Sequence, residues 1–201
     1  MHDVRFTLAH AGSGRGRLRT RTSHTWTGTV PGLGSVELVC PAEEDLTQET
    51  LTTRVSGRGI PPMSFTGTGF RDRPRLARME LTADGRTARL RRRHLAVPAG
   101  RRALRIEVAG RAYRYRALPG RRHELRRDGA VVTVAPTGRV AGRYPHTLTG
   151  DARGTHGACD GLDIGLALLL EGAYTRNLTF GGALYSWPGR FLTRVEIPDY
   201  F

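Results

Sequence analysis

The segment DGLDIGLALLLE, residues 160–171, decides the fold of this chain. Asp160 is suited to cap a helix, and Asp163 lies in the first turn, where the helix dipole favours acids. Gly172 follows the last apolar residues and predicts the end of the helix. At about 100° per residue the apolar side chains occupy the whole circumference, so the helix lacks a polar stripe. We therefore expect one hydrophobic helix near residues 160–171 that is buried on all sides.

This helix is too short to cross a membrane, which takes about 20 apolar residues, so protein must surround it. Gly161 and Gly165 would let another backbone approach closely along one line of the helix. A flat sheet that covers one side of the helix would leave its other side exposed to solvent. The sequence therefore predicts a mainly β protein whose antiparallel meander closes into a barrel, or a strongly curved sheet, around the helix.

Three hairpin turns predict the centre of that meander. Asp84-Gly85 and Asp128-Gly129 are strong two-residue turns, and Ala109-Gly110 is a weaker one. The predicted cross-strand pairs are Leu81 with Ala88, Met79 with Leu90, Glu80 with Arg89, Ile106 with Tyr113, Leu104 with Tyr115, Arg105 with Arg114, Leu125 with Val132 and His123 with Val134. Each hairpin has one largely apolar and one polar face, but facing arginines are unfavourable unless an acid or an anion lies between them.

The remaining chain is expected to complete a single β-rich domain, residues 1–201. Further strands are predicted at Val4–Leu8, Thr25–Val30, Val36–Cys40, Thr50–Val55 and Ser64–Phe70, and two more within the C-terminal segment 173–201. Residues 11–21 are rich in glycine and arginine and predict a flexible loop or the end of a long hairpin, and residues 143–158 are rich in turn formers and predict a loop. Acids after Pro41 predict a short helix start.

The chain carries a net charge of +14, and all 32 basic residues are arginine. Without lysine it lacks the residue that P-loop NTPases, protein kinases and Schiff-base enzymes require. Residues 71–127 hold 19 arginines against five acids, and charges cancel over the rest of the chain. Codon usage explains the preference for arginine but does not explain this localisation.

The candidate anion-binding residues lie where the meander has its longer connections, opposite the tight turns. They are Arg91, Arg92, Arg93, Arg101, Arg102, Arg121 and Arg122. If the strand after Arg86 continues to Val97, the first three fall within a strand instead. The arginine fork matches phosphate oxygens, and the alternative is an ordinary solvated face. The partner would be an anionic lipid surface or nucleic acid. Tyr113 and Tyr115 should point inward, where they could not stack on bases, and this weakens the case for nucleic acid.

Other motifs give little support for an enzyme. Gly12-Ser-Gly-Arg-Gly16 fits neither a nucleophile elbow nor a dinucleotide fingerprint. His156 and Cys159, with His146 and Asp160 nearby, lack the second half of a metal site and suit a loop beside a helix start. We expect no catalytic residue, no cofactor and no metal.

Cys40 and Cys159 are too few for a disulfide scaffold and favour a reducing compartment. With neither a signal peptide nor a transmembrane segment visible, we expect a cytoplasmic protein. Trp26 and Trp187 are expected in the core, with partner anchoring as the alternative. Residues 173–201 could mediate assembly into a homo-oligomer.

The meander, hairpins such as ELRRDGAVV (residues 124–132) and the late helix Asp160–Glu171 resemble the tubby C-terminal-like superfamily. This group includes tubby proteins, LURP-one-related proteins and phospholipid scramblases. The resemblance covers roughly residues 60–200 and implies a closed β-barrel threaded by a helix. Tubby proteins bind phosphoinositide head groups through basic side chains, and scramblases meet lipids, although no single ligand residue can be transferred to this chain. The sequence thus predicts a non-enzymatic protein that binds an anionic partner, with nucleic-acid binding or a structural role as alternatives.

Overall fold

The computed structural model of the protein describes residues 2–14, 23–41, 50–70, 73–91, 103–138, 144–154 and 159–173. The strands are β1 (His2–Gly14), β2 (Ser23–Val30), β3 (Gly34–Pro41), β4 (Thr50–Gly57), β5 (Ile60–Phe70), β6 (Arg73–Ala83), β7 (Arg86–Thr87), β8 (Arg89–Arg91), β9 (Leu104–Val108), β10 (Arg111–Ala117), β11 (His123–Arg127), β12 (Ala130–Thr137) and β13 (Thr147–Gly154). The helix of the described chain is α1 (Gly161–Glu171).

All thirteen strands belong to one antiparallel sheet that forms a nearly closed barrel. Strands that follow one another in the chain are neighbours in the sheet, except β7 and β8, and β1 pairs with β13. The predicted fold class, a mainly antiparallel β protein with one helix, is confirmed.

The strand order ends at β7 and β8, which are separated only by Ala88. β7 pairs with β6 and β8 pairs with β9. Ala88 itself donates its backbone N–H to the Leu81 carbonyl at 2.7 Å. One interrupted strand, residues 86–91, therefore contacts both ends of the sheet.

This interruption corrects part of the first predicted hairpin. Leu81 does lie opposite Ala88, as expected. The predicted pairs of Met79 with Leu90 and of Glu80 with Arg89 are wrong, because the strand leaves β6 after Ala88. Leu90 faces Ile106 instead, and Arg89 faces Glu107. The other two hairpins have the predicted registers throughout.

The predicted loop at residues 143–158 is wrong in its centre, which forms β13. This strand lies between β1 and β12 and joins the two halves of the meander. Its inward positions are Leu148, Gly150, Ala152 and Gly154. Gly150 is required because the ring of Phe6 occupies the space where a Cβ atom would lie.

Several expectations lie wholly or partly outside the described residues. β1 extends to Gly14 into the predicted loop at residues 11–21, and residues 15–22 are not described. The same applies to the helix start after Pro41 and to the C-terminal strands, since residues 42–49 and 174–201 are outside the description. Trp26 is buried as expected, whereas Trp187 falls in the undescribed segment.

Helix α1 begins and ends where the sequence predicts. Asp160 and Asp163 form a reciprocal capping box, and Gly172 is the C-cap. Ten of its eleven residues are buried, and it contacts β4, β5, β11 and β12. A Cβ atom at Gly161 would overlap the carbonyl oxygen of Gly59, so the backbone at the start of β5 approaches the helix closely there, as predicted, whereas side chains of Ile60 and Met63 lie against Gly165. Within the described residues, no helix has the length and hydropathy to cross a membrane.

Candidate anion-binding site

Five exposed arginines lie on one register line across the outer face of the sheet. Arg91 faces Arg105, Arg105 faces Arg114, and Arg114 faces Arg126. The line continues through Val131 on β12. It then reaches the fifth arginine, on β13, which faces Asp3 on β1. We call these residues the arginine row: Arg91, Arg105, Arg114, Arg126 and Arg153.

The strict alternation of each strand places the arginine row outside. On β9, Leu104 and Ile106 point into the core on either side of Arg105. On β10, Tyr113 and Tyr115 do the same on either side of Arg114. The inward direction that was predicted for both tyrosines is confirmed.

The register lines on both sides of the arginine row are neutralised by their own acids. On one side, Arg116 donates to both carboxylate oxygens of Glu124, at 2.9 and 3.2 Å. The same line ends in the ion pair of Arg5 with Asp151, at 2.9 Å. The line on the other side carries the longer ion pair of Arg89 with Glu107, at 3.9 Å. Among these three register lines of the described sheet, unbalanced positive charge therefore lies on the middle one, the arginine row.

Within the described part of the chain, three members of the row, Arg91, Arg105 and Arg114, form no ion pair. Arg126 shares Glu124 with Arg116, at an Nε–Oε1 distance of 3.4 Å. Arg153 has only a 4.0 Å contact with Asp3. Because like charges that face each other destabilise a sheet, this arrangement is unfavourable for folding alone.

A groove of about 890 Å³ follows the arginine row. Four members of the row line it, from Arg105 to Arg153, together with Arg122 from the β10–β11 connection. Apolar positions such as Val131 and Leu118 also contribute to its walls. The groove therefore has arginine side chains along its length, with Glu107, Glu124, Asp128 and Asp151 also in its lining.

The structure places only part of the predicted site in this groove. Arg91 belongs to the row, and Arg122 lines the groove while its Nε donates to the Pro119 carbonyl at 3.2 Å. Arg121 is exposed in the same connection, at a φ of 59°. The other predicted residues lie outside the description: Arg92, Arg93, Arg101 and Arg102.

Four members of the row were missing from the predicted site. The facing pair of Arg105 and Arg114 was visible in the hairpin register, and its unfavourable repulsion was the signal. Arg126 follows from the next hairpin along the chain. Arg153 could not be found because its strand was predicted to be a loop.

Behind the groove, Asp163 of the helix is buried and binds side chains from the strands of the barrel. Arg127 donates to both of its carboxylate oxygens, each at 2.7 Å, and the Tyr113 hydroxyl donates at 3.0 Å. The Nη1 atom of Arg111 lies 3.5 Å from Oδ1 of Asp163 and 2.5 Å from Oδ2 of Asp160. The sequence indicated no such partners for the helix, because they come from β10 and β11.

These contacts shift the pKa values of the cluster. Burial, followed by the nearby charge of Asp163, raises the pKa of the Tyr113 hydroxyl. The hydrogen bond to Asp163 raises the pKa of Arg127. Burial is the largest single effect and would raise the pKa of Asp160, but the hydrogen bonds from Arg111 and from the Asp163 backbone, together with the charges of Arg111 and Arg127, lower it overall. The cluster is thus a fixed set of charges that ties the helix to the wall.

The other end of the helix carries a second buried carboxylate, Glu171. The Tyr115 hydroxyl donates to its Oε1 at 3.0 Å, and the Nδ1 atom of His123 lies 2.8 Å from the same oxygen. Neither carboxylate reaches the arginine row. Both act in joining the helix to β10 and β11.

The two cysteines are buried and do not form a disulfide with each other. Burial, the largest cause, raises the pKa of the Cys159 thiol, which disfavours the thiolate that nucleophilic or metal chemistry needs. Among the described residues, His, Cys, Asp and Glu side chains form no group of three that could hold a metal ion. His156 lies outside the description.

No protein-family model, curated protein or solved structure matches this chain.

Proposed function

We propose that this protein binds phosphate-bearing anions, either phospholipid head groups or other phosphates, through the arginine row. The observation that carries the proposal is the alignment of Arg91, Arg105 and Arg114 on adjacent strands without ion-pair partners in the described chain. The neighbouring register lines contain matched acids, so the imbalance is specific to this row.

An anionic ligand would remove the repulsion that the row creates. Each guanidinium offers a planar fork of donors that matches two phosphate oxygens. Charged hydrogen bonds of this kind contribute about 1.5–3 kcal/mol each when both partners are ordered. The ligand would thus stabilise the same strands that the unliganded row destabilises.

The proposed relation to the tubby C-terminal-like superfamily supports the same function. It rests on architecture: an antiparallel barrel with one late hydrophobic helix. Tubby proteins bind phosphoinositide head groups through basic side chains, which is the chemistry proposed for the arginine row. A shared fold does not by itself establish a shared function, so the arginine row remains the main support for the proposed function.

The cellular setting of the proposal is the cytoplasm. Both cysteines are buried thiols that are not joined by a disulfide, which suits a reducing compartment. Assembly through residues 173–201 stays a prediction, since only Ala173 of that segment is described.

Nucleic acid is the less favoured polyanion. Single strands are held by aromatic side chains on which bases stack, in addition to basic residues. Tyr113 and Tyr115, the tyrosines beside the row, are buried and donate to helix carboxylates. Bases would therefore find no aromatic platform in the described part of the groove.

The test combines a variant of the row with a matched control. We expect the double substitution Arg105→Gln and Arg114→Gln to weaken binding of inositol hexakisphosphate at least tenfold in calorimetry. It should weaken sedimentation with phosphatidylcholine vesicles that contain phosphoinositides to a similar degree. Arg54→Gln with Arg58→Gln removes equal charge from exposed positions outside the row and should leave both unchanged. Equal loss in the two variants would show a non-specific charge effect and refute the proposal.

A further inference from the structure

We propose that the ligand of the arginine row is a linear chain of phosphates lying across the strands. This inference rests on the proposed anion-binding function and specifies the shape of the anion. The observations that support it are the length of the row, its width and the composition of the groove.

The row is long compared with a single head group. It extends from β8 to β13, which is five strand spacings or about 24 Å along the sheet at about 4.8 Å each. The register is continuous, since each strand contributes its position on the same line. A compact anion can contact two or three neighbouring arginines, whereas a chain can contact all five.

The row is also narrow. On one side, Glu124 and Asp151 are occupied by Arg116 and Arg5. On the other side, Glu107 is within ion-pair distance of Arg89. A planar anionic surface such as a bilayer matches a broad basic patch, but a stripe one residue wide matches a line of charges. The neutral borders also place acids where they would repel an anion that spreads sideways.

The groove favours phosphates without bases or large apolar groups. Its described lining includes one aromatic residue, Tyr113, which is buried and donates its hydroxyl to Asp163. The exposed side chains along the row are guanidinium groups, which recognise phosphate oxygens. An inorganic polyphosphate presents such oxygens on every unit and needs no stacking partner.

Chain length provides the decisive experiment. Calorimetry with the full-length protein would compare orthophosphate, tripolyphosphate and a defined polyphosphate long enough to span about 24 Å. Because linked groups bind at high effective concentration, we expect the long chain to bind at least tenfold more tightly than tripolyphosphate. Equal affinity for the two would overturn the linear ligand.

Variants at the two ends of the row sharpen the comparison. Arg91→Gln with Arg153→Gln should weaken binding of the long chain at least fivefold and leave tripolyphosphate nearly unchanged. Arg105→Gln with Arg114→Gln should weaken the binding of both ligands. The control pair Arg54→Gln with Arg58→Gln should weaken the binding of neither. If the end variant has no effect on the long chain, the proposed extension across the strands is wrong.

Two further outcomes separate this inference from the proposed function. Tighter binding of a single-stranded RNA than of polyphosphate with equal charge would overturn the inference and favour nucleic acid. Tight binding of phosphoinositide vesicles together with weak binding of every soluble chain would also overturn it, while the anion-binding function would stand. Absence of binding to all probes, with no effect of the row variants, would refute the function itself.

Discussion

Among single residues, Asp163 is the one whose contacts join the helix to the barrel most directly. Its carboxylate accepts from Arg127 and Tyr113, and it also accepts the backbone N–H of Asp160 in the capping box. The sequence showed an acid in a first helical turn but could not show these partners. They lie 36 and 50 residues away, and only the packing of β10 and β11 against the helix brings them close.

Removal of the Asp163 carboxylate should therefore be strongly destabilising. We expect Asp163→Ala to lower the free energy of unfolding by about 3 kcal/mol, because a buried carboxylate is lost and Arg127 keeps an uncompensated charge. Asp151→Ala breaks a comparable Arg–Asp pair whose side chains are 84% and 47% exposed, so its cost should stay below about 1 kcal/mol. Urea unfolding measures the free energy of unfolding of both variants. Equal losses would contradict the conclusion that burial makes the contacts of Asp163 more important than those of Asp151.

His10 makes the stability of the protein depend on pH. Its Nε2 lies 3.1 Å from Nδ1 of His24, its ring is beside Trp26, and burial, followed by the charge of His146, lowers its pKa below the ordinary 6.5. Because the unfolded chain then binds protons more readily, the free energy of unfolding should fall as the pH drops below 6.5.

The substitution His10→Gln tests this dependence. Glutamine does not titrate, so we expect a flatter dependence of the unfolding free energy between about pH 7.5 and about pH 5.5. Urea unfolding at a series of pH values measures the slope. An unchanged slope in the variant would assign the effect to other groups, His24 and His146 first among them.

Among the elements, the hairpins at Gly110 and Gly129 were predictable in register, whereas the hairpin at Gly85 was predictable only next to its turn and the strand β13 was not predictable. A two-residue turn fixes the register of its flanking strands, so the facing pairs at Gly110 and Gly129 followed from the sequence. The composition of β13, rich in glycine and threonine, resembles a loop. Gly150 is in fact a strand residue whose missing side chain makes room for Phe6 on β1, and a local pattern contains no information about that neighbour.

The contact between α1 and β5 gives a prediction about two glycines on the same helix. A Cβ atom at Gly161 would meet the backbone carbonyl of Gly59, which cannot move alone. We expect Gly161→Ala to lower the free energy of unfolding by about 3 kcal/mol, at the upper end for overpacking. At Gly165 the Cβ atom would lie 2.6 Å from Ile60 and Met63 side-chain atoms.

Gly165→Ala is the matched comparison. The methionine side chain is flexible, and alanine favours the helix by about 1 kcal/mol over glycine, so the net loss should be about 1 kcal/mol or less. Thermal unfolding of both variants measures the difference. A larger loss at Gly165 than at Gly161 would contradict the backbone approach described for β5.

For the molecule as a whole, the arginine row predicts a conflict between stability and binding. Arg105→Gln with Arg114→Gln removes facing like charges, so we expect the free energy of unfolding at low salt to rise by about 0.5–1 kcal/mol. This gain in stability should vanish at about 1 M salt, where the Debye screening length is about 3 Å. Thermal unfolding at two salt concentrations measures it, with Arg54→Gln and Arg58→Gln as the control. A less stable row variant would mean that the row contributes to folding.

The pairing of β1 with β13 also determines when the chain can fold. His2 pairs with Gly154, so the second edge of β1 is covered only after β13 has been synthesised. The helix that fills the core is synthesised later still. Contacts this distant in sequence give slow folding, typically milliseconds to seconds. A nascent chain of this protein therefore carries an open edge on β1 until β13 has been synthesised, and the barrel cannot be completed before that point.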